Sequence, residues 1–228
     1  HMPDVTLGER VYEVERRTPG HLEVPPGFVH SKTLDEIKDY YFKIDPQVRL
    51  RYSKISFPQD GVSYRFTSKR KEGGEVVEFE SSMGSFEAVK NGLYALANPV
   101  VVISGSRRVF YNEERDMSLH LDEVDGLGKW TELEKLVGDA HSKDLVALEL
   151  EELMRTIDPN IKIERRTYVE MKLENLIINH ILQSEIPPTI ETLARTFQCD
   201  PSRISAICNY ACEQSHRIKK IGDEFWPD

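Results

Sequence analysis

Charges recur at every second residue in one short segment after another, and this alternation constrains the fold more than any other feature. Side chains on a strand point alternately to its two faces. In Val11-Tyr-Glu-Val-Glu-Arg-Arg17, Glu13, Glu15 and Arg17 therefore share one face, opposite Tyr12, Val14 and Arg16. The arrangement returns as Arg49 with Arg51, as Arg65 with Thr67 and Lys69, and as Glu78 with Glu80. It returns again as His120 with Asp122 and as Glu132 with Glu134. A single strand of this kind is an ordinary solvated surface. So many in one chain predict a closed or strongly curled antiparallel sheet with a charged interior, able to hold a divalent cation and a polyphosphate.

The rest of the composition fits that picture. A chain of 228 residues, 39% hydrophobic and 30% charged, suits one medium globular domain with a small appendage. A formal net charge of −9 argues against nucleic-acid binding over the whole surface, though not against a local basic groove. The three cysteines all lie beyond residue 198 and offer no disulfide framework. No apolar run approaches the ~20 residues that span a bilayer. The expectation is a cytoplasmic protein.

Turn signals divide the chain. Residues 18–31, with Gly20, Pro25, Pro26 and Gly27, read as a loop. Thr33-Leu-Asp-Glu36 has the capping-box pattern and predicts a short helix to about Asp39. Strands follow at Tyr40–Ile44, Val48–Ile55, Ser63–Lys71 and Val76–Ser82, separated by Asp45-Pro46, Pro58–Gly61 and Gly73-Gly74. Phe86, Val89, Leu93 and Leu96 recur at helical spacing over Ser85–Ala97. Strands Val100–Tyr111, Leu119–Val124 and Trp130–Leu136 complete the sheet. Helices are predicted over Ser142–Ile157, from Thr167 to Ser184, over Thr189–Phe197 and from Asp200 to Ile218. The expected class is α+β: about eight antiparallel strands with flanking helices over residues 3–170, then an all-helical extension over 171–228.

Two segments carry a resemblance. Glu13-Val-Glu-Arg-Arg17 resembles the E-x-E-x-K signature of the CYTH domain, or triphosphate tunnel metalloenzyme, family, with Arg17 in the lysine position. Leu121-Asp-Glu-Val-Asp-Gly-Leu-Gly-Lys-Trp-Thr-Glu-Leu-Glu134 is similar to that family's second hallmark, and Glu164-Arg-Arg-Thr-Tyr-Val169 to its closing segment. The resemblance covers residues 10–170 and implies an eight-stranded antiparallel tunnel. It also implies a triphosphate handled with Mg²⁺ or Mn²⁺. The family includes thiamine and inorganic triphosphatases, class IV adenylyl cyclases and, more distantly, RNA 5′-triphosphatases. One departure stands out: Gly105 occupies the place, two residues before Arg107, where family members often carry lysine.

Hard divalent cations take oxygen ligands. Glu13, Glu15, Glu132 and Glu134, with Asp122 beside them, are the expected metal ligands; Glu78 and Glu80 are alternatives. Arg17, Arg49, Arg51, Arg65, Lys69 and Arg107 are the expected phosphate ligands, arginine being suited to bidentate contact. Glu13 and Glu15, with Arg17, are the expected catalytic set, one of the glutamates serving as base for a water. His120 is read as a wall residue rather than a ligand, and Trp130 and Tyr41 as packing. The expected activity is metal-dependent hydrolysis of a triphosphate. The alternatives are a class IV adenylyl cyclase, a non-catalytic nucleotide or polyphosphate sensor, and an RNA 5′-triphosphatase.

The tail lies outside the resemblance. Thr189 to Ile207 is similar to a helix-turn-helix, whose second helix enters the major groove. Its slight excess of acids favours a helical cap or a dimer contact over DNA binding. Cys208, Cys212 and His216 recur every four residues and, with Cys199, form a zinc-like set without a standard zinc spacing, so buried reduced thiols are the preferred reading.

Overall fold

The computed structural model describes residues 12–72, 75–82 and 86–228. Val11, Gly73-Gly74 and Ser85, expected in a strand, a turn and a helix start, lie outside them. Eight long strands are present: β1 (Tyr12–Pro19), β2 (Val29–Lys43), β3 (Gln47–Phe57), β4 (Gly61–Glu72), β5 (Glu75–Ser82), β6 (Val101–Asn112), β7 (Met117–Val124) and β8 (Gly128–Val137). Helix α1 (Phe86–Leu96) separates β5 from β6, and α2 (Lys143–Ile157) follows β8. The tail holds α3 (Tyr168–Gln183), α4 (Ile190–Phe197), α5 (Pro201–Glu213), β9 (Ile218–Ile221) and β10 (Glu224–Pro227). The large antiparallel sheet runs β1-β8-β7-β6-β2-β3-β4-β5. Among the described residues no pairing joins β1 to β5, so hydrogen bonds do not close the sheet into a barrel. No helix among them is long and apolar enough to cross a membrane.

The chain packs as two compact units. The first comprises residues up to Thr33, Arg107–Glu123 and Gly128–Arg165. Its core is made by alternation meeting helical periodicity. Val14 on β1, Met117, Leu119 and Leu121 on β7, and Leu133 on β8 face the stripe Val146, Ala147, Leu150, Leu153 and Met154 of α2. Leu119, Leu133, Leu150 and Met154 are fully buried, each contributing about 1.5–3 kcal/mol of transfer free energy. Because these residues turn inward, their neighbours Glu13, Glu15, His120, Asp122, Glu132 and Glu134 are turned to the opposite face.

The second unit comprises Leu34–Ser106, Val124–Leu127 and Arg166–Asp228. Phe42 and Leu50 lie in its sheet core, with Tyr40, Val48, Tyr52, Tyr64, Phe66 and, from α1, Val89 and Leu93 packed against them. The chain passes between the two units more than once, the last time at Arg165–Arg166.

Two expectations are corrected. No helix forms over 33–39; β2 runs unbroken from Val29 to Lys43. Leu34 and Ile37 are both buried, and their spacing of three imitates a helix, while strand pairing overrides the local capping pattern. The tail is not all-helical. α5 ends at Glu213, and Ile218–Ile221 pairs antiparallel with Glu224–Pro227. His216 therefore lies past the helix, and Cys208, Cys212 and His216 do not share a helical face. Burial pushes the Cys199 and Cys208 thiols up to about 12, and among the described residues the cysteines join no metal-competent group.

Candidate metal and phosphate site

The register of β1 and β8 assembles the site. Glu15 lies opposite Glu134, Arg17 opposite Glu132, and Glu13 opposite Leu136. Residues directly opposite in an antiparallel pair project to the same side, so the two E-x-E segments meet on one face. β1 is held at Arg17, whose carbonyl accepts from the Glu164 amide at 2.8 Å, and Thr18 Oγ1 donates to the Lys162 carbonyl. On the far side, Arg16 Nε donates to Glu151 of α2 at 3.0 Å, fixing the strand's rotation.

Arg17 and Glu132 are both 3% exposed. Arg17 donates to Glu132 Oε2 from Nη2 at 2.9 Å and from Nε at 3.2 Å, and also pairs with Glu15. His120 Nδ1 lies 3.1 Å from Glu132 Oε1, and Arg107 Nη2 lies 3.5 Å from the same oxygen. Arg107 also grips Asp122 bidentately, at 2.7 and 2.8 Å.

These contacts separate the two β8 carboxylates. Burial opposes the Glu132 charge, but the hydrogen bond from His120 and the fields of Arg107 and Arg17 more than offset it and hold its pKa well below the usual range. Burial likewise opposes the Arg17 charge, and Glu15 and Glu132 overcome it, raising the guanidinium further. Glu134 goes the other way. Burial raises its pKa, and Glu132 and Glu15 add to the rise against the opposing pull of His120 and Arg107. Negative charge at Glu134 is thus under-compensated, which is the electrostatic condition for taking up a cation.

Two groups of side chains have ligand atoms close enough to share an ion: Glu13, Glu15 and Glu134, and His120, Glu132 and Glu134. Glu134 belongs to both. The first is an all-oxygen set suited to Mg²⁺ or Mn²⁺, so the residues present fit the expected ion. Asp122 joins neither group among the described residues; its carboxylate is engaged by Arg107. His120, read from sequence as a wall residue, is brought to Glu132. The parity of β7 could have indicated this, since His120 shares a face with Asp122.

The other expected phosphate ligands form a second array, in the second unit. Across β3 and β4, Arg49 opposes Thr67, Arg51 opposes Arg65 and Gln47 opposes Lys69. Across β4 and β5, Thr67 opposes Glu80 and Lys69 opposes Glu78. All these positions share one face. Arg51 is held bidentately by Asp39, at 2.6 and 2.8 Å. Asp39, 5% exposed, was missed because the sequence placed it in a helix. Arg49 Nη2 donates to Thr67 at 3.0 Å, and among the described residues its buried Nε has no hydrogen-bond partner.

The chain matches no sequence-family profile and no curated protein. Solved structures do match. A Pyrococcus horikoshii protein is 24% identical with a TM-score of 0.61, covering 72% of this chain and 99% of its own. A conserved hypothetical protein of Pyrococcus furiosus is 21% identical with a TM-score of 0.53, covering 70% and 99%. A Vibrio parahaemolyticus protein proposed to be an adenylate cyclase is 15% identical with a TM-score of 0.51, covering 72% and 98%. The fold is shared with these structures. Each neighbour is spanned almost completely by under three-quarters of this chain, so this protein carries additional structure.

Proposed function

We propose that this chain is a divalent-metal-dependent phosphohydrolase acting on a triphosphate. The observation that carries the reading is the convergence of the Glu13, Glu15 and Glu134 carboxylates on one face that also presents Glu132, Arg17 and Arg107. Glu13, Glu15 and Glu134 would hold the ion, with Glu132 and Asp122 beside them. A bound Mg²⁺ or Mn²⁺ there would polarise a phosphoryl oxygen and orient an attacking water. Arg17 and Arg107, each already fixed by carboxylates, supply preorganised positive charge for the transferring phosphoryl group, where positioning and charge stabilisation are the main requirements. A glutamate of the Glu13–Glu15 pair would accept the proton of the water. Arg49, Arg51, Arg65 and Lys69 are assigned to phosphate binding. Their shared face supports this.

A second reading, a class IV adenylyl cyclase, is favoured by the Vibrio parahaemolyticus neighbour. The same residues would then direct a ribose 3′-hydroxyl, rather than water, at the α-phosphate. Product analysis decides. ATP, thiamine triphosphate and inorganic triphosphate are each incubated with Mg²⁺ and with Mn²⁺. Orthophosphate release is the expected result, and the preferred substrate names the organic part. Cyclic AMP with pyrophosphate makes the protein a cyclase. Tight triphosphate binding without turnover, the sensor behaviour that Gly105 leaves open, overturns both.

A further inference from the structure

The tail contains more than the helical cap its sequence suggests. α4 and α5 are joined by a three-residue turn, Gln198–Asp200, in which Gln198 adopts left-handed geometry (φ 51°) and Asp200 caps α5. The segment before α4 pairs with the final strand. Thr189 bridges Glu224, and Phe225 N donates to the Pro188 carbonyl at 2.9 Å. The order is therefore helix, short strand, helix, turn, helix, hairpin, a helix-turn-helix with a β-ribbon attached.

The two faces of α5 differ sharply. Ile204, Ile207, Cys208 and Ala211 are buried. Ser202, Ala206, Asn209 and Glu213, at i, i+4, i+7 and i+11, are exposed on the opposite side. That outward face bears small and polar groups and no large apolar side chain. Asp45 anchors the module elsewhere: it accepts from Arg203 Nε at 2.9 Å and Nη2 at 2.8 Å and from the Asp200 amide at 3.0 Å. Arg203 flanks the buried face, so this contact leaves the outward stripe uncovered.

Charge supplies the second, independent observation. Within a chain of net charge −9, the stretch from Gln214 to Gly222 contains no acid and holds Arg217, Lys219 and Lys220, all exposed. Lys219 lies opposite Trp226 in the hairpin register, on a face with the exposed Ile221. These cations follow directly on α5; Arg217 is engaged by Asn175 and Glu174, and the turn and β10 carry Asp223 and Glu224, which leaves Lys219 and Lys220 of β9 as the basic feature of the hairpin. Exposed lysines beside a slim polar helix suit duplex DNA. Its major groove admits a helix whose side chains read base edges, while flanking lysines neutralise phosphates.

We propose that α4, α5 and the β9–β10 hairpin form a duplex-DNA-binding module. Ser202, Ala206 and Asn209 face the major groove, and Lys219 and Lys220 contact the backbone. A-form RNA presents a groove too deep and narrow for such a helix, so DNA is the committed partner.

The test uses the full chain, in EDTA, with a fluorescein-labelled mixed-sequence DNA duplex bearing 5′-hydroxyl ends. It needs neither metal nor triphosphate, so its failure and that of the proposed hydrolase are separate results. Fluorescence anisotropy at about 50 mM salt is expected to show saturable binding that weakens as salt rises. The K219E/K220E protein should bind at least about tenfold more weakly, with a log–log salt slope smaller by roughly 2. Asn209→Glu, on the other element, should weaken binding with an unchanged circular dichroism spectrum. Absence of binding at low salt overturns the proposal. So does undiminished binding by both variants, or equal affinity for duplex RNA of the same sequence.

Discussion

The faces of β1–β8 and of β3–β4 are both lined with charge, yet they solve opposite problems. On β1 and β8, acids and bases are interleaved until Arg17 and Glu132 neutralise each other in burial, and the surplus is one of carboxylate, concentrated at Glu134. On β3 and β4 the ladder itself is cationic, and Glu78 and Glu80 of β5 stand opposite Lys69 and Thr67 in register. Arg49, Arg51, Arg65 and Lys69 share a face, and Asp39 is the carboxylate that grips Arg51. The difference teaches that alternation alone specifies only that a face is charged. The sign left over after pairing specifies whether it suits a cation or an anion.

Removing the surplus carboxylate should give the largest effect. A Glu13→Ala, Glu15→Ala protein is expected to lose metal-dependent turnover by about 10³-fold, since metal assistance is worth several kcal/mol. An unchanged thermal unfolding profile would show that the loss is functional, whereas unchanged turnover would remove the site assignment.

Disturbing the paired charges should act on stability. Arg17→Ala leaves Glu132 buried with Arg107 and His120 as its remaining partners. The cost is expected at about 3 kcal/mol, a fall of roughly 6–12 °C in the unfolding midpoint. A smaller fall than that of Arg51→Ala, whose partner Asp39 sits at a less buried arginine, would reverse the comparison.

On the cationic face, Arg49→Ala should raise the KM for a triphosphate about 10–100-fold, the worth of one or two charge-assisted hydrogen bonds, with kcat less affected. An equal loss in kcat would place Arg49 at the reacting phosphate instead.

The subtlest contrast is in pH. Glu134 has a raised folded-state pKa, so the native protein binds its proton more tightly than the unfolded chain does. Its contribution to the stability of the metal-free protein therefore falls as pH rises from the ordinary glutamate range through the raised value. Glu132, displaced downward, contributes stability above the ordinary range and loses it only as pH falls through its depressed value. Chemical denaturation across mildly acidic pH should show the first dependence, and Glu134→Gln should flatten it.

Much of this was legible because period-two alternation is a local property. The shared faces of Glu13 and Glu15, of Glu132 and Glu134, of Arg49 and Arg51, and of Arg65 and Lys69 can be read without knowing the pairing. What pairing decides was not legible. Thr33-Leu-Asp-Glu36 satisfies a helix cap on paper, but backbone hydrogen bonds to neighbouring strands outweigh a local cap worth about 1 kcal/mol. Asp39 was hidden with it. The closing hairpin did leave a signal, Gly222-Asp223 between Ile218-Lys-Lys-Ile and Glu-Phe-Trp-Pro. Continuing the α5 periodicity past Glu213 concealed it. The parity of His120 was legible, but its contact with Glu132 depends on β7 lying beside β8.

Glu134 has one more consequence, for heat rather than rate. Where the pH leaves that raised carboxyl protonated, uptake of Mg²⁺ or Mn²⁺ also releases its proton. In a titration calorimeter the apparent enthalpy of ion uptake would then follow the ionisation enthalpy of the buffer. The slope would report the net protons released on ion uptake, and Glu134→Gln should reduce it.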